Sequence, residues 1–133
     1  MIKVLLIEDE IPAQKKIIRI IKELNLEVEI IAVLDSVQEG KFFLTKNSSI
    51  DLIISDIELR DGNAFEIFDR SNITCPIIFT TAYNQFWMDA FETNGIAYLL
   101  KPFGTEKFKS AWDKFIRLTQ QPDDQQALIR QLK

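Results

Sequence analysis

KVLLIEDE, residues Lys3–Glu10, decides the architecture. Lys3–Ile7 is a continuous apolar run, and such a run suits a strand buried on both faces, as in a parallel sheet. The run ends at once in Glu8, Asp9 and Glu10. Pro12 then stands where a first helical turn begins, and Ile17, Ile18, Ile21 and Leu24 recur at helical spacing. A buried strand, an acidic turn and an amphipathic helix form one βα unit.

The same unit repeats outward from that start. Val28–Val33 reads as a second strand, followed by a helix capped by Ser36 and running to about Lys46, with Val37, Phe42, Phe43 and Leu44 as its apolar surface. Asp51–Ser55 is a third strand, Asp61-Gly62 a turn, and Ala64–Arg70 a short helix. Pro76–Thr80 is a fourth strand. Asn84 caps a fourth helix through Phe91, closed by Asn94-Gly95. Ile96–Leu100 is a fifth strand, and a last helix runs from about Thr105 to Leu118 with Phe108, Trp112, Phe115 and Ile116 on one side. Repeated βα alternation predicts an α/β fold, a parallel sheet covered by helices on both faces. No repeat of solenoid type is visible.

Composition narrows the function. The chain has 133 residues, 47% hydrophobic and 27% charged, with a net charge of −4. That is one domain with a real core, and its acidity is a poor match to a nucleic-acid backbone. The single cysteine, Cys75, allows no internal disulfide, and it reads as a buried or edge residue. Histidine is absent, which removes the usual general base and the usual zinc ligand. No apolar run reaches membrane-spanning length, and MIKVLLIEDE turns acidic too early for a signal peptide. The expectation is a cytoplasmic protein with no membrane partner.

In open α/β sheets ligands gather at the carboxyl ends of the strands. Here those ends carry Glu8, Asp9 and Glu10 after strand one, Asp56 after strand three, Thr80, Thr81 and Ala82 after strand four, and Lys101-Pro102 after strand five. Two like charges 4 Å apart repel by roughly 4 kcal/mol at an effective dielectric of 20. The cluster therefore calls for a divalent cation, a proton or a lysine. A hard-oxygen site suits Mg2+, and Lys101 suits a phosphate oxygen as a point charge. Asp56 is left as a nucleophile able to form an acyl phosphate, with Thr81 offering a hydroxyl to another oxygen. Strand alternation turns only one of Thr80 and Thr81 toward the site, and the Ala82 that follows favours Thr81.

These residues carry a resemblance. VLLIEDE (4–10), DLIISDIELRDG (51–62), PIIFTTAY (76–83) and YLLKPF (98–103) resemble the successive signatures of response-regulator receiver domains, in order, over about residues 2–118. The resemblance implies a flavodoxin-like, doubly wound five-stranded parallel sheet with strand order 2-1-3-4-5. It implies that Asp56 is phosphorylated by a sensor histidine kinase in a Mg2+-dependent reaction. Asp9 would bind the metal directly, Glu8 mostly through water, and Asp56 and the Glu58 backbone carbonyl would complete the set. Thr81 and Tyr98 would be the switch pair, Ala82 would lie beside the phosphate, and Lys101 would bind it. The Lys101-Pro102 bond would be cis, with Pro102 as its proline. Many receivers have Asp-Asp where this chain has Glu8-Asp9, a departure that bears on metal affinity.

DGNAFEIF (61–68) and FTTAYNQFWMDAFETNGIAYLLKPF (79–103) resemble most the LytTR (LytR/AlgR) type of regulator, whose DNA-binding domain is C-terminal. Residues 1–119 are then the receiver domain. The Gln-rich, Pro122-containing residues 120–133 are a linker toward an output domain missing from this chain. DNA would be met only through that domain. Phe86, Trp87, Met88 and Phe91 of the fourth helix, with Phe108, Trp112 and Phe115 of the last, read as mostly core, but they are a large apolar load for two short helices. Part of it is a candidate homodimer face built from the fourth helix, fifth strand and fifth helix.

Three other functions compete. A haloacid-dehalogenase-type, Mg2+-dependent phosphatase also uses a strand-end Asp nucleophile, but wants a second Asp two residues on, where this chain has Glu58. A flavodoxin-like flavin binder needs a Ser/Thr/Gly phosphate loop, where this chain has EDEIPA. A docking module that is never phosphorylated would not need the complete set of site residues.

Overall fold

The computed structural model describes residues 1–24, 27–46, 49–68, 73–83 and 95–132, with side chains described as far as Thr119. Five strands form one parallel sheet: β1 (Ile2–Ile7), β2 (Val28–Leu34), β3 (Leu52–Asp56), β6 (Ile77–Thr81) and β7 (Gly95–Leu100). Their order is β2-β1-β3-β6-β7. Counting these five alone, that is 2-1-3-4-5, and each lies within a residue or so of its expected span. A two-stranded antiparallel ribbon, β4 (Glu58–Leu59) and β5 (Gly62–Asn63), rises from the end of β3. Helices α1 (Ile11–Leu24), α2 (Val37–Lys46) and α3 (Phe65–Phe68) are followed by a C-terminal helix, Thr105–Leu132. The expected fourth helix, with Phe86, Trp87, Met88 and Phe91, lies outside the described residues.

The continuous apolar runs are explained by two core layers. Side chains alternate across a strand, so a run with no polar break must be covered on both sides. Val4 and Leu6 join α1 and the C-terminal helix in one layer, while Leu5 and Ile7 join α2 and α3 in the other. Phe79 is fully buried in the second layer, its ring centroid 5.1 Å from Phe65 and 5.8 Å from Phe68. Gly40 of α2 faces α3, and a Cβ there would come 2.6 Å from Ile67 Cδ1, so the absent side chain permits the close approach.

The C-terminal aromatics are core. Phe108, Trp112 and Phe115 are buried, and Trp112 and Phe115 meet edge to face at 5.4 Å. Their burial agrees with the reading that this apolar load is mostly core. Exposed large apolar side chains near that side are Tyr83 and Leu100. The C-terminal helix also runs to Leu132, 14 residues past the expected stop at Leu118. The Gln, Ala, Leu and Arg of its last turns are good helix formers, while Pro122 inside the helix gives up one backbone hydrogen bond. Among the described residues no helix is long and apolar enough to cross a membrane.

Helix α2 is held at its N-terminus by three side chains. Ser36 Oγ accepts from the Glu39 amide at 3.1 Å, the cap read from the sequence. Glu39 reaches back to accept from the Asp35 amide at 3.1 Å. Asp61, from the turn between β4 and β5, accepts from the amides of Val37 (2.7 Å) and Gln38 (3.0 Å). Desolvation raises the Asp61 carboxyl, but these two amides, with its own backbone amide and the Arg60 charge, leave it below its ordinary value. Asp61 is thus a helix cap supplied from 24 residues away as well as a turn residue.

Candidate functional site

Parallel strands place their carboxyl ends together, and the site forms there. β1 delivers Glu8, whose amide continues the ladder to the Leu34 carbonyl (2.8 Å) and whose side chain is fully buried. β3 delivers Asp56, also buried, directly opposite Thr80 of β6. Lys101 follows β7, its amide donating to the Thr81 carbonyl at 2.7 Å. Its ammonium lies 2.7 Å from Glu8 Oε1, 3.1 Å from Asp56 Oδ2 and 3.8 Å from Glu10 Oε1. One ammonium thus faces three carboxylates.

That imbalance sets the electrostatics. Burial and the neighbouring Glu8 charge push the Asp56 carboxyl up to about 7, against the opposing pull of Lys101. Burial alone would lower the Lys101 ammonium, but Glu8 and Asp56 hold it above its usual value. Glu8, Asp9, Glu10 and Asp56 each offer a carboxylate oxygen, all within 4.8 Å of one another. Two of the four are buried, so the charge is not relieved by water. An all-oxygen, net-negative donor set of this kind fits a hard divalent cation such as Mg2+.

The two threonine hydroxyls that end β6 differ in their partners. The Thr81 hydroxyl lies 2.6 Å and 2.8 Å from the two carboxylate oxygens of Glu58, and accepts from the Tyr83 amide at 3.0 Å. Thr80 is fully buried, and its hydroxyl has no partner among the described residues. Ala82 is exposed just after β6. Tyr98, opposite Phe79 in β7, is half-buried, and its hydroxyl donates to the Tyr83 carbonyl. The Lys101-Pro102 bond is cis. Next along the chain, Lys16 of α1 donates to the Phe103 carbonyl and lies 4.7 Å over its ring.

The structure therefore brings together Glu8, Asp9, Asp56 and Lys101, with Glu58 and Thr81 beside them. Glu10 joins the acidic group, and the EDE run of the sequence was its signal. The Glu58 carboxylate as partner of Thr81, Tyr83 as the joint between Thr81 and Tyr98, and Lys16 as the anchor of Phe103 were not found from the sequence. Cys75 is half-buried, and burial pushes its thiol up to about 11.

With fold and site in hand, known proteins place the chain. The family model for the response regulator receiver domain matches residues 4–113. The chain belongs to that family, a class of signalling domain. It is 36% identical over 118 residues to the sensory transduction protein LytT of Bacillus anthracis, covering 86% of this chain and 47% of that protein. It is 34% identical over 128 residues to the transcriptional regulatory protein LytR of Staphylococcus aureus, covering 94% and 51%. The crystal structure of the response regulatory domain of MrkE from Klebsiella pneumoniae superposes with a TM-score of 0.80 at 25% identity, over 90% of this chain and 99% of that one. The chain spans about half the length of the curated relatives it matches. It is a receiver domain of two-component response regulators, of the LytT and LytR type.

Proposed function

We propose that Asp56 accepts a phosphoryl group from a sensor histidine kinase, and that the modified domain switches conformation to control an output domain. The observation that carries this reading is the Lys101 ammonium, bridging Glu8 and Asp56 within an acidic group at the carboxyl edge of the sheet. In the transfer an Asp56 oxygen attacks phosphorus as the bond from phosphorus to the donor nitrogen breaks. Glu8, Asp9, Asp56 and the Glu58 backbone carbonyl would hold Mg2+, which when bound neutralises charge on the carboxylates and on the transferring group. Lys101 moves from carboxylate to phosphoryl oxygen as that charge arrives. Thr81 donates its hydroxyl to a second oxygen, with Ala82 alongside. Tyr98 then packs inward, so the phosphorylated form is a shifted population of two states.

By this reading the domain is a self-modifying phosphoacceptor rather than a turnover phosphatase. It acts in the cytoplasm. Residues 1–119 are the receiver, and 120–133 lead toward a DNA-binding output domain that regulates transcription, with the C-terminal helix continuing as far as Leu132. The face that carries Tyr83, Tyr98 and Leu100 is where a second copy would pair. Incubation with acetyl phosphate and Mg2+ is the test: one phosphoryl group per chain is expected by intact mass, with none on Asp56→Asn. Continuous release of phosphate over many turnovers would favour the phosphatase instead.

A further inference from the structure

The Glu58 side chain is unused by the proposed transfer, which draws only on its backbone carbonyl. Yet it makes close contacts in the site, 2.6 Å and 2.8 Å to the Thr81 hydroxyl. Thr81 is fully buried, and its hydroxyl has one proton to donate. That proton is committed to a carboxylate, a charge-assisted bond and so one of the stronger kinds. It cannot at the same time reach an oxygen on Asp56.

The bond continues into a chain of contacts. Thr81 Oγ1 accepts from the Tyr83 amide, and the Tyr83 carbonyl accepts from the Tyr98 hydroxyl. One route therefore runs from Glu58 through Thr81 and Tyr83 to Tyr98. Glu58 itself is well anchored for the task. It opens β4, paired with Asn63, and the ribbon's turn is pinned to α2 through Asp61.

We infer that Glu58 is a positioning residue: its carboxylate holds Thr81, and through Tyr83 also Tyr98, in the unphosphorylated arrangement until a phosphoryl oxygen competes for the hydroxyl. The inference rests on the phosphoacceptor reading of Asp56 and deepens it. Glu58 sets how readily the domain switches, by the strength of the bond that must be exchanged.

The test measures affinity for trifluoroberyllate in the presence of Mg2+, for the wild type, Glu58→Ala, Glu58→Gln, Thr81→Ala and Glu58→Ala/Thr81→Ala. A hydrogen bond to a charged partner of ordinary strength corresponds to about a tenfold change in an equilibrium constant. Glu58→Ala should bind about tenfold more tightly than wild type. Glu58→Gln, which keeps an acceptor oxygen without the charge, should fall between them. In the Thr81→Ala background the Glu58→Ala gain should vanish, because its target is gone. If Thr81→Ala does not fold, Thr81→Val supplies the same background with the side-chain volume kept. A gain of equal size in that background would overturn the inference, since it would mean that Glu58 acts only as a charge near the anion.

A second readout leaves the variant free of both probe and metal. In free Glu58→Ala, the Tyr83 amide and Tyr98 ring resonances should move toward their positions in the trifluoroberyllate-bound wild type. Unmoved resonances would also overturn it. A wild type that takes neither trifluoroberyllate nor a phosphoryl group would refute the phosphoacceptor reading itself, and the inference with it. A wild type that takes both, with Glu58→Ala indistinguishable from it, would refute the Glu58 role alone.

Discussion

Asp56→Asn should make the metal-free protein more stable at alkaline pH, although it removes the residue at the centre of the site. The Asp56 side chain is 5% exposed and shares one ammonium with the fully buried Glu8. Burial first, and the Glu8 charge second, hold its carboxyl at about 7 instead of 3.8. A raised carboxyl favours folding in its protonated form. Its contribution is fully present below pH 3.8 and is lost as pH rises through about 7. At 1.36 kcal/mol per pH unit, the full cost above that range is roughly 4 kcal/mol. That figure is already net of the attraction of Lys101, which asparagine gives up together with the charge. The gain at pH 8 is therefore about 4 kcal/mol, or roughly 10–20 °C in Tm for a chain of this size. Thermal unfolding of both proteins in chelator, from pH 4 to pH 8, reads the difference directly. The gap should open as pH rises and close when Mg2+ is added to the wild type. A gap that is absent at pH 8, or equally large at pH 4, would refute the electrostatic argument.

Other substitutions separate the scaffold from the site. Phe79→Ala opens a cavity between Phe65 and Phe68 and should cost about 3–5 kcal/mol in urea unfolding. Asp61→Ala removes two caps from α2 and should cost about 1–2 kcal/mol while phosphorylation by a small donor survives. Lys101→Met strands Glu8 and Asp56 together without a cation, so the metal-free protein at pH 8 should lose about 3–5 kcal/mol, and phosphorylation should slow sharply. Cys75, with its thiol held up to about 11, should react far more slowly with a maleimide at pH 7.5 than a free thiol does.

The strands were legible because a parallel sheet leaves a strong mark. VLLI, LIIS and IIFT are apolar on both faces, and each ends in the residues that meet at the site. Asp56, Glu8 and Lys101 could be brought together from sequence because parallel strands share one carboxyl edge, whatever the loops do. The interactions that escaped are side-chain bonds between loops. Asp61 was read as a turn because Asp-Gly has a sufficient local reason to be one, and its second use depends on where α2 lies. Glu58 and Thr81 are 23 residues apart and meet only once β3 and β6 pair. Lys16 reaches Phe103 across 87 residues, and nothing local to either announces it. Polar composition and Pro122 suggested a stop at Leu118, yet polarity reports a wet surface and not the absence of a helix.

Chemical mapping of the modified residue tests the central claim most directly. The chain is treated with acetyl phosphate and Mg2+, then reduced with borohydride, which converts an aspartyl phosphate to homoserine, and the peptides are sequenced. Homoserine at position 56, and its loss when Mg2+ is chelated beforehand, is the expected result. Homoserine at Asp9 or elsewhere, or none in a protein that is folded and metal-loaded, would contradict the assignment of Asp56 as the phosphoacceptor.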